Sequence, residues 1–238
     1  MAAADPAPTE LRYPARGSAL LFLDPYNDFL SEGGKLWPLV EHVAKEVDLH
    51  AKLRRAVQSV RAAGWPVVIV PHHRSEPGDL ERWQHPTPYQ VGASRQAVFE
   101  RGSWGGQWHP EFAPLPQDIL STEHWNSSGF AGTNLDLLLR QRGVTHVVLV
   151  GLMANTCVES TAKAAAELGY HVTLVRDATA AASREAMRAA HEINGPTFAH
   201  AIVSTDELCA CIAVHRADSR ERGILGIDDE ATQCALPD

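Results

Sequence analysis

The sequence has few cysteines and no long apolar run. Its four cysteines are Cys157, Cys209, Cys211 and Cys234, too few in 238 residues for a fold held together by disulfide bonds. No apolar stretch reaches the roughly 20 residues that a membrane-spanning helix needs. The first 17 residues lack the cationic and then apolar order of a secretory signal. These features predict a cytoplasmic protein with no membrane partner.

Basic clusters and three common motifs are absent as well. The chain has 21 basic and 29 acidic residues, a formal net charge of −8, and no cluster of lysines and arginines that would bind nucleic acid. Neither G-x-G-x-x-G nor G-x-x-x-x-G-K-[ST] occurs, so a nucleotide-binding protein would lack its phosphate-binding loop. The absence of G-x-S-x-G argues against a serine hydrolase. The partner that remains is a small molecule.

Short apolar runs alternate with helical patterns along most of the chain. Strands are predicted at residues 18–23, 66–70, 118–121, 146–150, 171–175 and 199–203. Helices are predicted at about 43–63, 135–142, 157–168, 184–193 and 207–214. Runs that are apolar on both faces are typical of parallel strands covered by helices on both sides. The pattern predicts an α/β fold, a three-layer α/β/α sandwich around a mostly parallel, doubly wound six-stranded sheet.

The two ends and one long connection depart from this alternation. We expect residues 1–16 to form a flexible N-terminal arm, residues 17–216 a single domain, and residues 217–238 a polar C-terminal tail. Residues 74–116, between the second and third strands, are rich in proline, tryptophan and glycine. A connection of this length in a compact domain is usually a lid or a binding loop.

Reactive side chains follow four of the predicted strands. Asp24 follows the first strand, His72 the second and His124 the third, and the fourth strand leads to Cys157. Ligands of parallel sheets bind beyond the carboxyl ends of the strands, so these groups are expected to meet at one edge. An acid, imidazoles and a thiol in one place predict a hydrolase whose nucleophile is Cys157.

The residues around Cys157 match the pattern of a helix start. Thr156 and Glu159 have the spacing of a capping box, with Thr156 as the N-cap. This interpretation places Cys157 in the first turn, where the helix dipole and free amides favour the thiolate. The same amides could stabilise an oxyanion.

Five segments resemble the isochorismatase-like cysteine hydrolases, the superfamily that includes the nicotinamidases. They are residues 20–29 (LLFLDPYNDF), 128–135 (SGFAGTNL), 151–158 (GLMANTCV), 161–170 with its TA and GY pairs, and 176–180 (RDATA). The resemblance covers about residues 17–212 in the right order. It implies that residues 17–216 are a hydrolase domain of this type.

The resemblance also implies roles for particular residues. Cys157 would be the nucleophile and Asp24 the group that takes its proton. A cis peptide bond would join Leu152 to Met153, and the amides of Met153 and Cys157 would form an oxyanion hole.

Two positions depart from the family pattern. The family usually has a lysine six residues before Phe130, where this chain has His124, which we expect to take a catalytic role. Nicotinamidases have an Asp-x-His metal pair after the second strand, where this chain has Val70 and His72. A cluster of His72, His73 and His85 would be the alternative, but we predict no metal and no cofactor.

The predicted substrate-binding residues are mostly aromatic. Residues 102–106 (GSWGG) resemble the substrate-side glycine turn of the family, and its tryptophan could wall an apolar or planar substrate. The predicted set is Tyr26, Phe29, His72, Trp104 and Trp125.

Three functions are compatible with these features. The first is hydrolysis of an amide, lactam or imide bond of a small molecule through a Cys157 acyl-enzyme. The second is hydrolysis of an isochorismate-type vinyl ether, which needs the acid and a lysine rather than a thiol. The third is a binding protein without activity on the same scaffold. The resemblance further implies a homodimer or homotetramer.

Overall fold

The strands of the sheet lie close to the predicted apolar runs. The computed structural model describes residues 13–14 and 16–221, with side chains up to residue 214. The strands are β1 (Ser18–Leu23), β2 (Val67–Val70), β3 (Ile119–Leu120), β4 (His146–Leu152), β5 (His171–Ala180) and β6 (Ala201–Val203). They form one parallel sheet in the order β3-β2-β1-β4-β5-β6. The order changes direction between β1 and β4, which confirms the doubly wound topology.

Eight α-helices connect the strands in this part of the chain. They are α1 (Asn27–Leu30), α2 (Trp37–Glu46), α3 (Leu49–Ala62), α4 (Pro88–Arg95), α5 (Leu135–Arg140), α6 (Glu159–Glu167), α7 (Arg184–Arg188) and α8 (Thr205–Glu221). Two π-helical turns, Ala154–Val158 and Ala189–Asn194, precede α6 and follow α7. Over residues 13–14 and 16–221, no helix has the length and apolarity needed to cross a membrane.

The alternation of side chains along the strands divides the interior into two cores. Leu20 and Phe22 of β1 pack on one face of the sheet with residues of α2, α3 and α8. Leu21 and Leu23 pack on the other face with residues of α5 and α6. Strands β1, β2 and most of β4 are buried on both faces, so their sequences are largely apolar. The three-layer sandwich predicted from the sequence is confirmed.

The predicted helix at 43–63 is wrong in one respect. It is two helices, α2 and α3, and they meet at Asp48, whose φ of 53° is left-handed. A left-handed residue cannot continue a right-handed helix, and aspartate tolerates this conformation better than most residues. The apolar positions run through the break, so their pattern does not reveal it.

The predicted arm and tail are only partly within the described residues. Residues 1–12 and 15 of the arm and residues 222–238 of the tail lie outside them. Helix α8 continues past the predicted boundary at 217 as far as Glu221. The division at 216 and 217 therefore stays a prediction.

Candidate active site

The candidate site lies where the strand order changes direction. Asp24 follows β1 and has a left-handed φ of 55°, which is rare for a residue other than glycine, asparagine or aspartate. At Gly151 of β4, the register partner of Leu23, a Cβ atom would lie 2.3 Å from the Leu23 carbonyl oxygen. Glycine therefore allows the end of β4 to approach the end of β1, and the segment that carries Cys157 follows directly.

His124 lies beside Asp24 because the β2–β3 pairing extends beyond the strands. The amide of His124 donates to the Pro71 carbonyl (2.9 Å), and the amide of His73 donates to the His124 carbonyl (2.8 Å). His72 and His124 form a parallel bridge, and their rings meet edge to face with centroids 5.0 Å apart. The third strand is short, but this extension fixes the position of its functional residue.

Asp24 and His124 form a buried hydrogen-bonded pair. The distance from His124 Nε2 to Asp24 Oδ1 is 3.1 Å, and both side chains are 0% exposed. His124 Nδ1 lies 2.7 Å from the carbonyl oxygen of Asn126. That carbonyl can only accept, so Nδ1 carries a proton and Nε2 faces the carboxyl group.

The surroundings of His124 favour its protonated form. Burial lowers the pKa of the imidazole, but the Asp24 charge, the hydrogen bond with Asp24 and that with Asn126 outweigh burial, so the pKa is raised. An ionised Asp24 makes both ring nitrogens donors. In its protonated form His124 is a buried cation at the position where the family usually has lysine.

Cys157 is not held by the predicted capping box. It lies in the π-helical turn Ala154–Val158, whose N-cap is Met153 without a side-chain hydrogen bond. Glu159 bonds Lys163 and Asn194 instead of reaching back to Thr156. The capping-box prediction is therefore wrong, although Cys157 does lie in the turn that leads into α6.

The thiol of Cys157 is also not a preformed thiolate. Cys157 is 3% exposed, and burial raises its pKa, as do the Asp24 charge and a hydrogen bond with Asp24. Contacts with Thr156 and the backbone of Met153 lower the pKa by less. The net pKa lies well above the usual value, so the expectation of a thiolate stabilised by a helix start is not met. The thiol needs a base when it attacks.

Asp24 is placed to be that base. A carboxylate oxygen of Asp24, a ring nitrogen of His124 and the sulfur of Cys157 all lie within 4.8 Å of one another. Oδ2 of Asp24 is buried, and no described residue meets both the distance and the angle of a hydrogen bond to it. Oδ1 of Asp24 faces His124 instead. The charge of Asp24 is one of the causes that raise the thiol pKa, so the sulfur lies near the carboxylate. The three groups thus form a chain from imidazole to carboxylate to thiol.

Two further predictions concern the cis peptide bond and the oxyanion hole of the segment that carries Cys157. The peptide bond between Leu152 and Met153 is cis, as the resemblance implies. A backbone contact with Met153 lowers the pKa of the Cys157 thiol. The oxyanion hole of Met153 and Cys157 stays a prediction.

A cavity of about 550 Å³ lies beside the three groups. His72 lines it and contacts the His124 ring, and Tyr89 of α4 lines it as well. Half of the Tyr89 surface is exposed, yet burial and the charges of Cys157 and Asp24 raise the pKa of its hydroxyl to about 12. The two charges act on Tyr89 because this part of the cavity lining lies near Cys157 and Asp24. His72 and Tyr89 thus join the cavity to the buried groups.

The predicted substrate-binding residues occupy three kinds of position. His72 and Trp125 line the cavity. Tyr26 and Phe29 are fully buried, and both pack against Phe99, which lines the cavity. Trp104 is 49% exposed and is not part of the cavity lining. All five assignments to substrate binding stay predictions.

Tyr89 and Gln90 line the cavity, but the sequence reasoning missed them. They belong to α4, a helix inside the long connection where none was predicted. Its start carries a signal that could have been found: Thr87 and Gln90 form a complete capping box, and proline occupies the first helical position. The binding segment predicted between β2 and β3 thus contains an ordered helix at the mouth of the cavity.

The histidines of the long connection do not form one cluster. His73 bonds Asp79 (2.7 Å) and stacks on Trp125, and His85 is exposed. Over the described part of the chain, the only group of three or more histidine, cysteine or acidic side chains close enough to share a metal ion is Asp24, His124 and Cys157. Each of these three residues bonds another member of the group or shifts its pKa.

Comparison with known proteins connects this arrangement to a family. The Isochorismatase domain family matches residues 18–206. The ureidoacrylate amidohydrolase RutB of Stutzerimonas stutzeri is 30% identical over 217 residues, which cover 87% of each chain. That of Yersinia enterocolitica is 28% identical over 216 residues, 87% of this chain and 94% of its own.

Solved structures agree with the sequence matches. N-carbamoylsarcosine amidase from Thermoplasma acidophilum has 29% identity and a TM-score of 0.59, covering 80% of this chain and 97% of its own. A cysteine hydrolase from Pseudomonas syringae pv. phaseolicola has the same fold, with 21% identity, a TM-score of 0.72 and 89% of this chain covered. The chain belongs to the isochorismatase family and is one of the isochorismatase-like cysteine hydrolases, as its sequence motifs predicted.

Proposed function

We propose that the protein hydrolyses a C–N bond of a small molecule, an amide, lactam or imide, through an acyl-enzyme on Cys157. The observation that carries this proposal is the buried set of Asp24, His124 and Cys157 at the carboxyl edge of the sheet. A thiol whose pKa is raised next to a buried carboxylate suits a nucleophile that gives up its proton during attack.

The reaction would proceed in two halves. Asp24 accepts the thiol proton while the sulfur attacks the carbonyl carbon, and the oxygen of the tetrahedral intermediate is held by backbone amides near Met153. The C–N bond then breaks as Asp24 returns the proton to the leaving nitrogen. Water, deprotonated by Asp24, attacks the thioester and releases a carboxylic acid and the free thiol. One amide and one water thus become one acid and one amine.

His124 would serve the proton transfer through Asp24. The ring lies 3.1 Å from the carboxylate that accepts the proton, and its protonated form donates a hydrogen bond to that carboxylate. The cation also balances the negative charge that moves from carboxylate to sulfur to oxyanion. Because Nδ1 is fixed on the Asn126 carbonyl, the ring keeps Nε2 directed at Asp24.

The names of the relatives favour C–N hydrolysis over the vinyl-ether alternative. Two curated relatives are amidohydrolases, and one solved neighbour is an amidase. We propose a small-molecule amide substrate by analogy with them. By the same analogy and from the sequence pattern, we propose a cytoplasmic homodimer or homotetramer.

A substrate panel tests the proposal. Small primary amides, ureides, lactams, imides and isochorismate are incubated with wild type, Cys157→Ala and Cys211→Ala, a control thiol on α8. We expect turnover of at least one C–N substrate by wild type and the control, with none by Cys157→Ala. Turnover of isochorismate alone, or turnover that survives in Cys157→Ala, would contradict the proposal.

A further inference from the structure

His72 connects the cavity with the proton-transfer groups. Its ring contacts the His124 ring at 5.0 Å and the Phe99 ring at 5.5 Å between centroids. The Tyr26 hydroxyl donates to the His72 carbonyl (2.9 Å), which holds the backbone of this residue in place. The ring therefore has a fixed position between the cavity lining and the buried pair of His124 and Asp24.

The hydrogen bonds of His72 fix which of its nitrogens carries a proton. Nδ1 lies 3.0 Å from the carbonyl oxygen of His73, which can only accept, so Nδ1 is the donor. Burial lowers the pKa of the imidazole, and the neighbouring His124 lowers it further, while Asp24 opposes both. A neutral ring protonated at Nδ1 presents a bare Nε2.

Nε2 of His72 has no hydrogen-bond partner among the described residues, although the ring lines the cavity. A bare imidazole nitrogen accepts a hydrogen bond and cannot donate one. It therefore suits an N–H or O–H group of a bound molecule and disfavours a carboxylate, which has only acceptors.

The rest of the cavity lining is mainly apolar. Apolar side chains there include Leu36, Leu39, Leu80, Val98, Phe99 and Trp125. No arginine is among the residues that line the cavity within the described part of the chain. A carboxylate of a substrate is most often held by the paired donors of an arginine, so this cavity lacks the usual anchor.

The charged groups of the lining already have partners. His73 pairs with Asp79 at 2.7 Å, and the exposed Lys35 donates from its ammonium group to the Ala97 carbonyl. Arg74 and Arg101, which lie nearby, both bond Glu123. An anionic ligand would have to compete with carboxylates for His73 and both arginines, whereas Lys35 bonds a neutral carbonyl.

We propose that the substrate is an uncharged amide or ureide with an apolar body in this cavity, and that the N–H of its scissile group donates to Nε2 of His72. The inference rests on the proposed C–N hydrolysis and narrows its substrate class. It excludes an anionic ureido acid as the substrate of this protein. His72 is a specificity residue in this account, and Cys157 and Asp24 carry out the bond cleavage.

Matched substrates test the charge preference. Benzamide, phenylacetamide and cinnamamide are each compared with the same amide carrying a ring carboxylate, with wild type and Cys157→Ala. The expected result is a kcat/KM at least about tenfold higher for the uncharged members, all of it dependent on Cys157. Equal or higher values for the carboxylates, or turnover of other panel amides but none of these six, overturn the inference and leave the proposed function standing. No turnover of any amide overturns the proposed function and this inference with it.

Variants of His72 test the hydrogen bond. For an uncharged amide and its methyl ester, which lacks the N–H, we expect His72→Phe to lower the amide-to-ester ratio of kcat/KM by about 3- to 10-fold. His72→Gln should keep most of the ratio, because its side-chain oxygen can accept. His85→Phe, a change at an exposed histidine outside the cavity, is the control. A ratio that is unchanged in His72→Phe would overturn the role of His72.

Discussion

Nε2 of His124 lies 3.1 Å from Oδ1 of Asp24, and neither side chain is exposed to solvent. A lysine at this position would be a cation at all pH values near neutrality, whereas an imidazolium loses its charge close to this range. In the proposed mechanism, the replacement keeps a positive neighbour for the Asp24 carboxylate and makes the charge of that neighbour dependent on pH.

The first prediction concerns the pH profile. The pKa of His124 is raised above its ordinary value of 6.5, so the imidazolium persists somewhat above that pH and is lost as pH rises further. We expect kcat/KM to fall on the alkaline side as His124 deprotonates, and His124→Lys to move this fall to higher pH. His124→Ala should cost about 10²- to 10⁴-fold in kcat. A near-normal rate with an unchanged profile in His124→Ala would make His124 a bystander.

The second prediction concerns Asp24. Asp24→Asn should lower kcat strongly with little change in substrate affinity, because it removes the proton acceptor. The same change should lower the pKa of the Cys157 thiol, since the Asp24 charge is one of the causes that raise it. The pH dependence of iodoacetamide labelling, followed by mass spectrometry of the Cys157 peptide, measures that pKa. Full activity together with wild-type labelling would show that Asp24 is not the base.

The third prediction concerns Tyr89, which the sequence reasoning did not identify. Tyr89 lines the cavity, and the charges of Cys157 and Asp24 act on its hydroxyl. Tyr89→Phe should lower kcat/KM about fivefold, the effect of losing one neutral hydrogen bond to the bound molecule. Trp83→Phe, at a residue outside the cavity lining, is the matched control. Equal effects of the two changes would argue against a direct contact between Tyr89 and the substrate.

The fourth prediction concerns Glu123, which holds the long connection against β3 through His73, Arg74 and Arg101. Burial raises the pKa of this carboxyl, but bonds from His73 and Arg74 lower it by more, so the net pKa is about 2. A lowered pKa stabilises the fold above pH 4.5, and this contribution is lost as pH falls towards 2. Glu123→Gln should therefore reduce the free energy of unfolding at pH 7 by about 1–3 kcal/mol, with a smaller difference from wild type at pH 3.

Urea unfolding at the two pH values measures this difference. The exposed Glu81→Gln is the control for the loss of one negative charge. A loss of stability in Glu123→Gln that is as small as in the control would mean that the arginine contacts contribute nothing.

The fifth prediction concerns assembly. Trp83, Trp104 and Trp125 are all more than a third exposed, and exposed tryptophans are enriched at subunit interfaces. Light scattering at micromolar concentration should give two or four times the chain mass of 25.9 kDa. A monomer would contradict the proposal.

The sheet and its reactive edge could be predicted because parallel strands leave a strong signal. Leu20 and Leu21 are buried on opposite faces, so β1 is a continuous apolar run, and Asp24 stands out at its end. The rule that strand ends carry the site then brings Asp24 and Cys157 together without any knowledge of loops.

The protonation states of the site could not be predicted from the sequence. The start of a helix favours a thiolate at Cys157, but burial and the charge of Asp24 outweigh that effect, and both depend on tertiary packing. The sign of the His124 shift was equally beyond the sequence, because burial and Asp24 act in opposite directions. Helix α4 was missed because its pattern is short and it buries none of its side chains.

Trapping the acyl-enzyme tests the central claim most directly. Wild type is mixed with an amide that it turns over, quenched in acid during steady state, and examined by intact and peptide mass spectrometry, with Cys157→Ala in parallel. The account predicts an adduct of the acyl group on the Cys157 peptide of wild type, no adduct in Cys157→Ala, and a loss of kcat of at least about 10⁴-fold in that variant. Turnover by wild type without an adduct on the Cys157 peptide, together with a Cys157→Ala variant that keeps more than about a tenth of the wild-type kcat, would contradict the central claim.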